Sequence, residues 1–521
     1  MAQNARTIQA QIEPDARACG LTLELCYSSP RNTNILIGAG IEYEGVPVRP
    51  CSINRRLFDA VVTIWLCAFA STAAAATNSY QLTWAIADSP NVRVQARIDV
   101  ADGQVRTSSL WNTFFEDPRG WASFIDIARA TDDAGAALSI RRGPTNDWQI
   151  GDGYTGTAIL HYTVDFSFAT ERWPVGNEQV ALFVDGGLYT TGLPLFVFGV
   201  EPEISDIRIE VPDGWRISTS WQAIEDNYFR ATGVDRLTRN TIAVGDFHHE
   251  VFAAGPFELR LALLGEIAQS GTLVRETFIK VFDFYRELYK PTDSAVFMIA
   301  MIPGPNDGEA YMDSFAAAAP DPPGVEDRIV WANLLAHEFG HYWNGKRIGT
   351  TREHYAERQW FSEGGTEYLA MLALKEAGLV DDTMYRQILS RYLSMHLLFA
   401  QNPNFENVTL RQAGSSKWRN RPGVYDSGFA AAYCLDGLIR ENTDQSRTFA
   451  DVLIALDEKF GRTKTPYVFD DLVAVSSEVA GADLSGFFTT HISGKAALPV
   501  TECAARMEHT AVIDGYHAYI L

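Results

Sequence analysis

From residue 77 to about 265 the chain alternates apolar and polar positions in short runs. Examples are VRVQARIDV (92–100), TAILHYTVDFSF (157–168), LPLFVFGV (193–200), DIRIEVPDGWRIS (206–218) and FELRLALLG (257–265), with Gly, Pro, Asp and Asn between them. A period of two puts every second side chain on one face of an extended strand. Many short strands with turn residues between them predict a β-sandwich-like domain. After residue 265 the period lengthens: TLVRETFIKVFDFYRELY (272–289) places Leu273, Phe278, Val281, Phe282 and Tyr285 on one helical face. An apolar strand follows (AVFMIAMI, 295–302), then a Pro, Gly and Ala loop from Pro303 to Pro323, then a helix through NLLAHEFGHYWNGKRIG (333–349) and helical segments to the C-terminus. The pattern predicts a multidomain chain: an extension over 1–76, a β-sandwich-like domain over 77–265, an α+β domain over 266–400 and an α-helical domain over 401–521.

Composition agrees with several cores, since the chain has 521 residues of which 46% are hydrophobic. A formal net charge of -22 argues against partners gripped through phosphates, which need clustered Lys and Arg. Nucleic acid and anionic membrane surfaces are therefore not expected. The whole excess lies after residue 76, because residues 1–76 carry six basic and six acidic side chains. That extension ends in NRRLFDAVVTIWLCAFASTAAAA (54–76), where Arg55 and Arg56 precede an apolar run that closes in small residues. This is signal-peptide grammar, and it predicts export to the periplasm or medium with cleavage near residue 76. Residues 60–76 are short for a bilayer span, so no integral span is expected in the mature chain. Four of the six cysteines precede the cut, leaving Cys434 and Cys503. One disulfide can form, and spacing leaves the pairing open.

The helix that bears the NLLAHEFGHYWNGKRIG motif carries the chemistry. His337 and His341 stand four residues apart and stack on one helical face, so both imidazoles can aim at one ion. Glu338, one position round, can reach a water at that ion, as in His-Glu-x-x-His hydrolases. A catalytic zinc needs a third protein ligand and an open position. Glu363, 22 residues beyond His341 in RQWFSEGGTEYLAMLAL (358–374), is the favoured candidate, with His354 as its competitor. Gly364 and Gly365 follow it at a cost of roughly 1 kcal/mol each to a helix, which predicts close approach of a neighbour, the metal helix being the expected one. Glu367, one turn on, could hold the outer nitrogen of a ligating imidazole. His248 and His249 lack a third partner at ligand spacing and are expected at a loop or strand end.

Taken together, HEFGHYWNGKRI, REHYAERQWFSEGGTEYL, VYDSGFAAAYCLDGLIRE and VAGADLSGFFTTHISGKAALP resemble the family sixty-one metallopeptidases typified by glycyl aminopeptidase, gluzincin relatives of the alanyl-aminopeptidase-like clan with a thermolysin-like core. The resemblance covers most of residues 270–500. It implies a thermolysin-like catalytic domain, Zn2+ held by His337, His341 and Glu363, Glu338 as general base, and Tyr425 as donor to the oxyanion. The chain departs from the family in a shorter connection from His341 to Glu363, and it is expected to lack the C-terminal PDZ-like domain common there. An aminopeptidase also needs a carboxylate for the substrate ammonium. The family takes it from a Gly-rich segment after the apolar strand, here AMIPGPNDGEAYMDSFAAAAP (300–320), with Asp307, Glu309 and Asp313; Glu309 is the first choice.

The expected function is a zinc-dependent metallopeptidase that hydrolyses peptide or protein substrates by a metal-activated water, an aminopeptidase for small N-terminal residues. A zinc endopeptidase is the first alternative. A non-enzymatic zinc-binding interaction protein is the second, and the intact set of base and ligands stands against it.

Overall fold

A computed structural model describes residues 77–84, 89–108, 118–167, 180–184 and 186–521, all within one compact unit, residues 74–521. The expected signal segment lies outside them. The N-terminal part is sheet-rich and the C-terminal part helical. An eight-stranded sheet runs through residues 77–232, with one parallel pairing among its strands, Thr77–Thr83 beside Ile204–Glu210. The alternation read in VRVQARIDV is real: along Asn91–Val100 every second residue is buried, from Val92 to Val100. These side chains meet Trp121, Trp148, Phe196 and Trp221 in one apolar core. A four-stranded antiparallel sheet over residues 181–245 joins this part.

A five-stranded sheet positions the chemistry. Its strands are β1 (His248–Ala254), β2 (Phe257–Leu263), β3 (Ala295–Pro303), β4 (Asp307–Ala310) and β5 (Ser314–Ala319), in the order β1-β2-β3-β5-β4. Helix α1 (Gly271–Tyr289) connects β2 to β3, which pair in parallel, so the three form a βαβ unit. The change of period at 265 thus falls inside one layer, because β1 and β2 precede it. On α1 the buried face runs through Val274, Phe278, Val281, Phe282 and Tyr285; Leu273 lies only partly inside.

The predicted loop from Pro303 to Pro323 is corrected by the structure, which places β4 and β5 inside it. The run SFAAAA of β5 has all six residues buried and pairs in parallel with β3. Alanine has no strand preference, and a strand covered on both faces shows no alternation. Hence the sequence pattern carried no strand signal there.

Helix α2 (Arg328–Gly340) packs on this sheet through Phe339. The Phe339 ring lies 5.1 Å from that of Phe297, 5.3 Å from Phe278 and 5.4 Å from Phe282. Burial of such a ring stabilises by about 2 kcal/mol, and edge-to-face contacts fix the rotation of the helix about its axis. The C-terminal part contains α3 (Gly365–Glu376), α4 (Asp382–Gln401), α5 (Ser427–Asn442), α6 (Phe449–Leu456) and α7 (Phe469–Ala480). A Cys434–Cys503 disulfide ties α5 to the short helix Val500–Arg506 across 69 positions, a closure of the order of 4 kcal/mol in chain entropy. The expected run of helices to the C-terminus is corrected at its end by a hairpin, β6 (Ala511–Asp514) and β7 (His517–Ile520). Two strands of four residues are too short to show a period. The amides of Ala518 and Ile520 donate to Ser394 and Ser390 of α4 at 2.8 and 2.9 Å. No helix among the described residues is long and apolar enough to cross a membrane.

Candidate metal centre

Helix α2 delivers His337 and His341 one turn apart, as the four-residue spacing requires, and the two Nε2 atoms lie 3.0 Å from each other. Glu363 arrives from a π-helical turn, Trp360–Gly364, immediately before α3. Such a turn widens the backbone by one residue and recurs at functional sites. Its Oε2 stands 3.5 Å from His337 Nε2 and 3.3 Å from His341 Nε2. All three residues are more than nine-tenths buried. His354, the competing ligand, is drawn off by Glu357, 2.6 Å from its Nδ1. His248 and His249 open β1, and His248 pairs with Glu250 at 2.8 Å.

The donor set fits zinc. Four ligands about 2.0–2.1 Å from a tetrahedral ion stand roughly 3.3–3.4 Å from one another; the separations here are 3.0, 3.3 and 3.5 Å. Each imidazole is held from behind. His341 Nδ1–H donates to the Asn344 carbonyl at 3.0 Å, which leaves Nε2 as the lone-pair nitrogen. His337 Nδ1 is 2.7 Å from Glu367 Oε2, a close ion-pair contact whose ring N–H is not aligned along it. Glu367 in turn accepts from Asn333 Nδ2 at 2.8 Å and from the Tyr392 hydroxyl. Burial alone would raise the Glu367 carboxyl, yet His337, Tyr392 and Asn333 outweigh it and hold it down to about 2.

Glu338 lies against β4: a Cβ on Gly308 would fall 2.6 Å from its Oε1. Only glycine leaves room there. Burial first, then the charges of Glu309 and Glu363, push the Glu338 carboxyl up to about 8 against the pull of His337. Of the three acids on this segment, Asp307 is exposed and Asp313 is held by Arg236 Nε at 2.5 Å. Glu309, half-buried on β4, shares a field with Lys346, Lys417 and Glu363; burial raises its carboxyl and the two lysines oppose that.

Tyr425 comes from a second π-helical turn, Pro422–Asp426, at the start of α5. Its ring centre is 6.2 Å from that of His337. Burial, then Glu363, raise its phenol far above the usual value, so it keeps its proton. The joint that brings Glu363 and Tyr425 together is glycine on glycine: a Cβ on Gly364 would meet the Gly428 backbone at 2.4 Å, and one on Gly428 the Trp360 carbonyl at 2.4 Å. The close approach foreseen at Gly364 is therefore made to α5 rather than to the metal helix. The α2 to α3 approach uses Gly340 instead, where a Cβ would lie 2.9 Å from Thr366. Sequence reasoning missed Asn344, Lys346 and Lys417; the first two sit in the NGK run that starts three residues after His341, and no pattern marks the third.

Residues 330–430, which hold His337, Glu338, His341, Glu363 and Tyr425, match the model of the family described as M61 glycyl aminopeptidase. That segment is M61 glycyl aminopeptidase-like. In fold, the chain is similar to an aminopeptidase N family protein from Idiomarina loihiensis, with 20% identity, a TM-score of 0.72 and coverage of 84% of this chain and 79% of that one. It is also similar to an M1 zinc metallopeptidase from Deinococcus radiodurans, solved as a mutant bound to a Tyr-Ser-Ala substrate (14% identity, TM-score 0.54, 82% of this chain and 95% of that one). The same enzyme without that substrate gives 13% identity and a TM-score of 0.54. No curated protein matches the chain.

Proposed function

We propose that this zinc peptidase removes small residues from the free N-terminus of peptides, with His337, His341 and Glu363 as ligands, Glu338 as general base, Tyr425 as oxyanion donor and Glu309 as the anchor for the substrate ammonium. The observation that carries the reading is Glu309 on β4, the edge strand that Glu338 rests against. An extended peptide can pair with an exposed sheet edge, and its terminal ammonium then meets a fixed carboxylate beside the triad. Bound zinc supplies a Lewis acid that polarises the scissile carbonyl and acidifies water. The rest belongs to the chain. Glu338 takes the proton of the attacking water and returns it to the leaving amine. Tyr425, protonated in its buried setting, donates to the carbonyl oxygen as charge develops there. Glu367, backed by Asn333 and Tyr392, keeps His337 oriented.

The reading includes a thermolysin-like catalytic domain between a β-sandwich-like domain and a helical one, its start moved from near residue 266 back to β1, which shares the sheet. It also includes export: the two cysteines expected in the mature chain are the two that pair, and such bonds persist in oxidising compartments.

The deciding experiment compares a short peptide with its N-acetylated form in wild type and in Glu309→Ala. A free-amine preference lost in the mutant supports the anchor. A preference that survives moves the anchor elsewhere. Equal cleavage of both peptides by wild type makes the enzyme an endopeptidase. Tyr425→Phe is expected to lower kcat by roughly 10²-fold with zinc content and KM near wild type, as for a donor used in the transition state. Unchanged turnover rejects that role.

A further inference from the structure

Glu363 has two carboxylate oxygens, and they are treated differently. Oε2 faces both imidazoles at 3.3 and 3.5 Å. Oε1 accepts a hydrogen bond from the Lys417 ammonium at 2.9 Å. The lysine is itself held in place. Gly414 presses the preceding turn onto the Ala356 carbonyl, where a Cβ would fall at 2.2 Å, and Asn420 closes the loop through Nδ2 to the Ala413 carbonyl at 3.1 Å and its amide to the Ser416 carbonyl at 2.9 Å. The ammonium also lies 5.4 Å from the Tyr425 ring centre. One cation thus bonds the carboxylate of Glu363 and lies beside the ring of Tyr425, though the two are 62 residues apart in the chain.

We propose that Lys417 is a positioning residue of the zinc site, holding Glu363 as a one-oxygen ligand and keeping Tyr425 in register with it. This rests on the reading of His337, His341 and Glu363 as zinc ligands. A carboxylate free to rotate can close on an ion with both oxygens and fill the position that water needs. With Oε1 occupied by the ammonium, only Oε2 is left to the ion, and the fourth position stays open. Lys417 is therefore a determinant of coordination number as well as a charge.

The charge role and the positioning role make opposite predictions for metal affinity. Deleting a positive charge near a dication removes repulsion and tightens binding. Losing a residue that orients a ligand loosens it, typically 10- to 100-fold. The test measures zinc affinity by chelator competition, and the visible spectrum of the Co2+-substituted protein, in wild type, Lys417→Met and Lys417→Arg. The expected result is zinc bound at least about 10-fold more weakly in Lys417→Met, a weaker Co2+ absorption that signals a fifth ligand atom, and recovery of both in Lys417→Arg. A Met variant with unchanged or tighter zinc and an unchanged Co2+ spectrum overturns the proposal alone. A wild-type protein that takes up no stoichiometric zinc overturns the ligand reading and this proposal together. Should the Met variant fail to fold, X-ray absorption at the zinc edge of wild type decides: one carboxylate oxygen on the metal supports the proposal, and two overturn it.

Discussion

Glu338→Gln is expected to bind zinc as wild type does and to hydrolyse peptides 10² to 10⁴-fold more slowly, roughly the usual contribution of a general base. The amide is isosteric with the acid and is not one of the three donors, so the triad keeps its geometry. What it loses is the ability to accept a proton. Burial, Glu309 and Glu363 raise the Glu338 carboxyl against the pull of His337, which strengthens it as a proton acceptor. The fit against Gly308 adds a constraint, since a larger acceptor would collide with β4. Metal analysis and single-turnover assays separate the two effects. Turnover within about tenfold of wild type would remove Glu338 from the mechanism; zinc loss would mean that the carboxylate supports the metal instead.

The parts of this centre that were legible in the sequence are those set by local geometry. A helix with histidines at i and i+4 has no choice about where they point, so His337, His341 and Glu338 could be read together. Glu363 was legible for a weaker reason, as an acid opening an apolar helix that carries two costly glycines. Its π-helical turn was not, since the widening is set by Gly364 meeting Gly428, a pair 64 positions apart. The same contact places Tyr425, which spacing alone could not have chosen among 20 tyrosines. Lys417 was invisible because its role depends on a loop closed by Asn420 and seated by Gly414. In the fold, alternation exposed the N-terminal strands, whose two faces differ. It failed at β5, where both faces are buried and the side chains are mostly alanines. Long-range packing decided what local pattern left open.

Glu363→Ala is expected to release most of the zinc at submicromolar free metal and with it all measurable hydrolysis, while His354→Ala leaves both intact. Two imidazoles alone leave the ion two donors short of the three protein ligands and water of a catalytic site. Among the described residues, no other carboxylate stands ready to replace it. Glu367 is committed to His337 Nδ1, Asn333 and Tyr392, and moving it to the ion would strip His337 of its support. Glu309 and Glu338 lie toward β4, and neither joins the group of donors within 4.8 Å of one another. The truncation has a second consequence, because it removes the acceptor of the Lys417 ammonium. A half-buried charge is then left without its partner, a loss of roughly 3–5 kcal/mol where such a pair is fully buried and less here. Zinc content by plasma emission and the thermal midpoint of the metal-free protein measure the two effects separately. Glu363→Gln refines the result: it retains a neutral oxygen donor toward the histidines and is expected to bind zinc better than the alanine variant, yet more weakly than wild type. If His354→Ala empties the site and Glu363→Ala does not, the third ligand is His354, and the π-helical turn must owe its form to the Gly364–Gly428 contact alone.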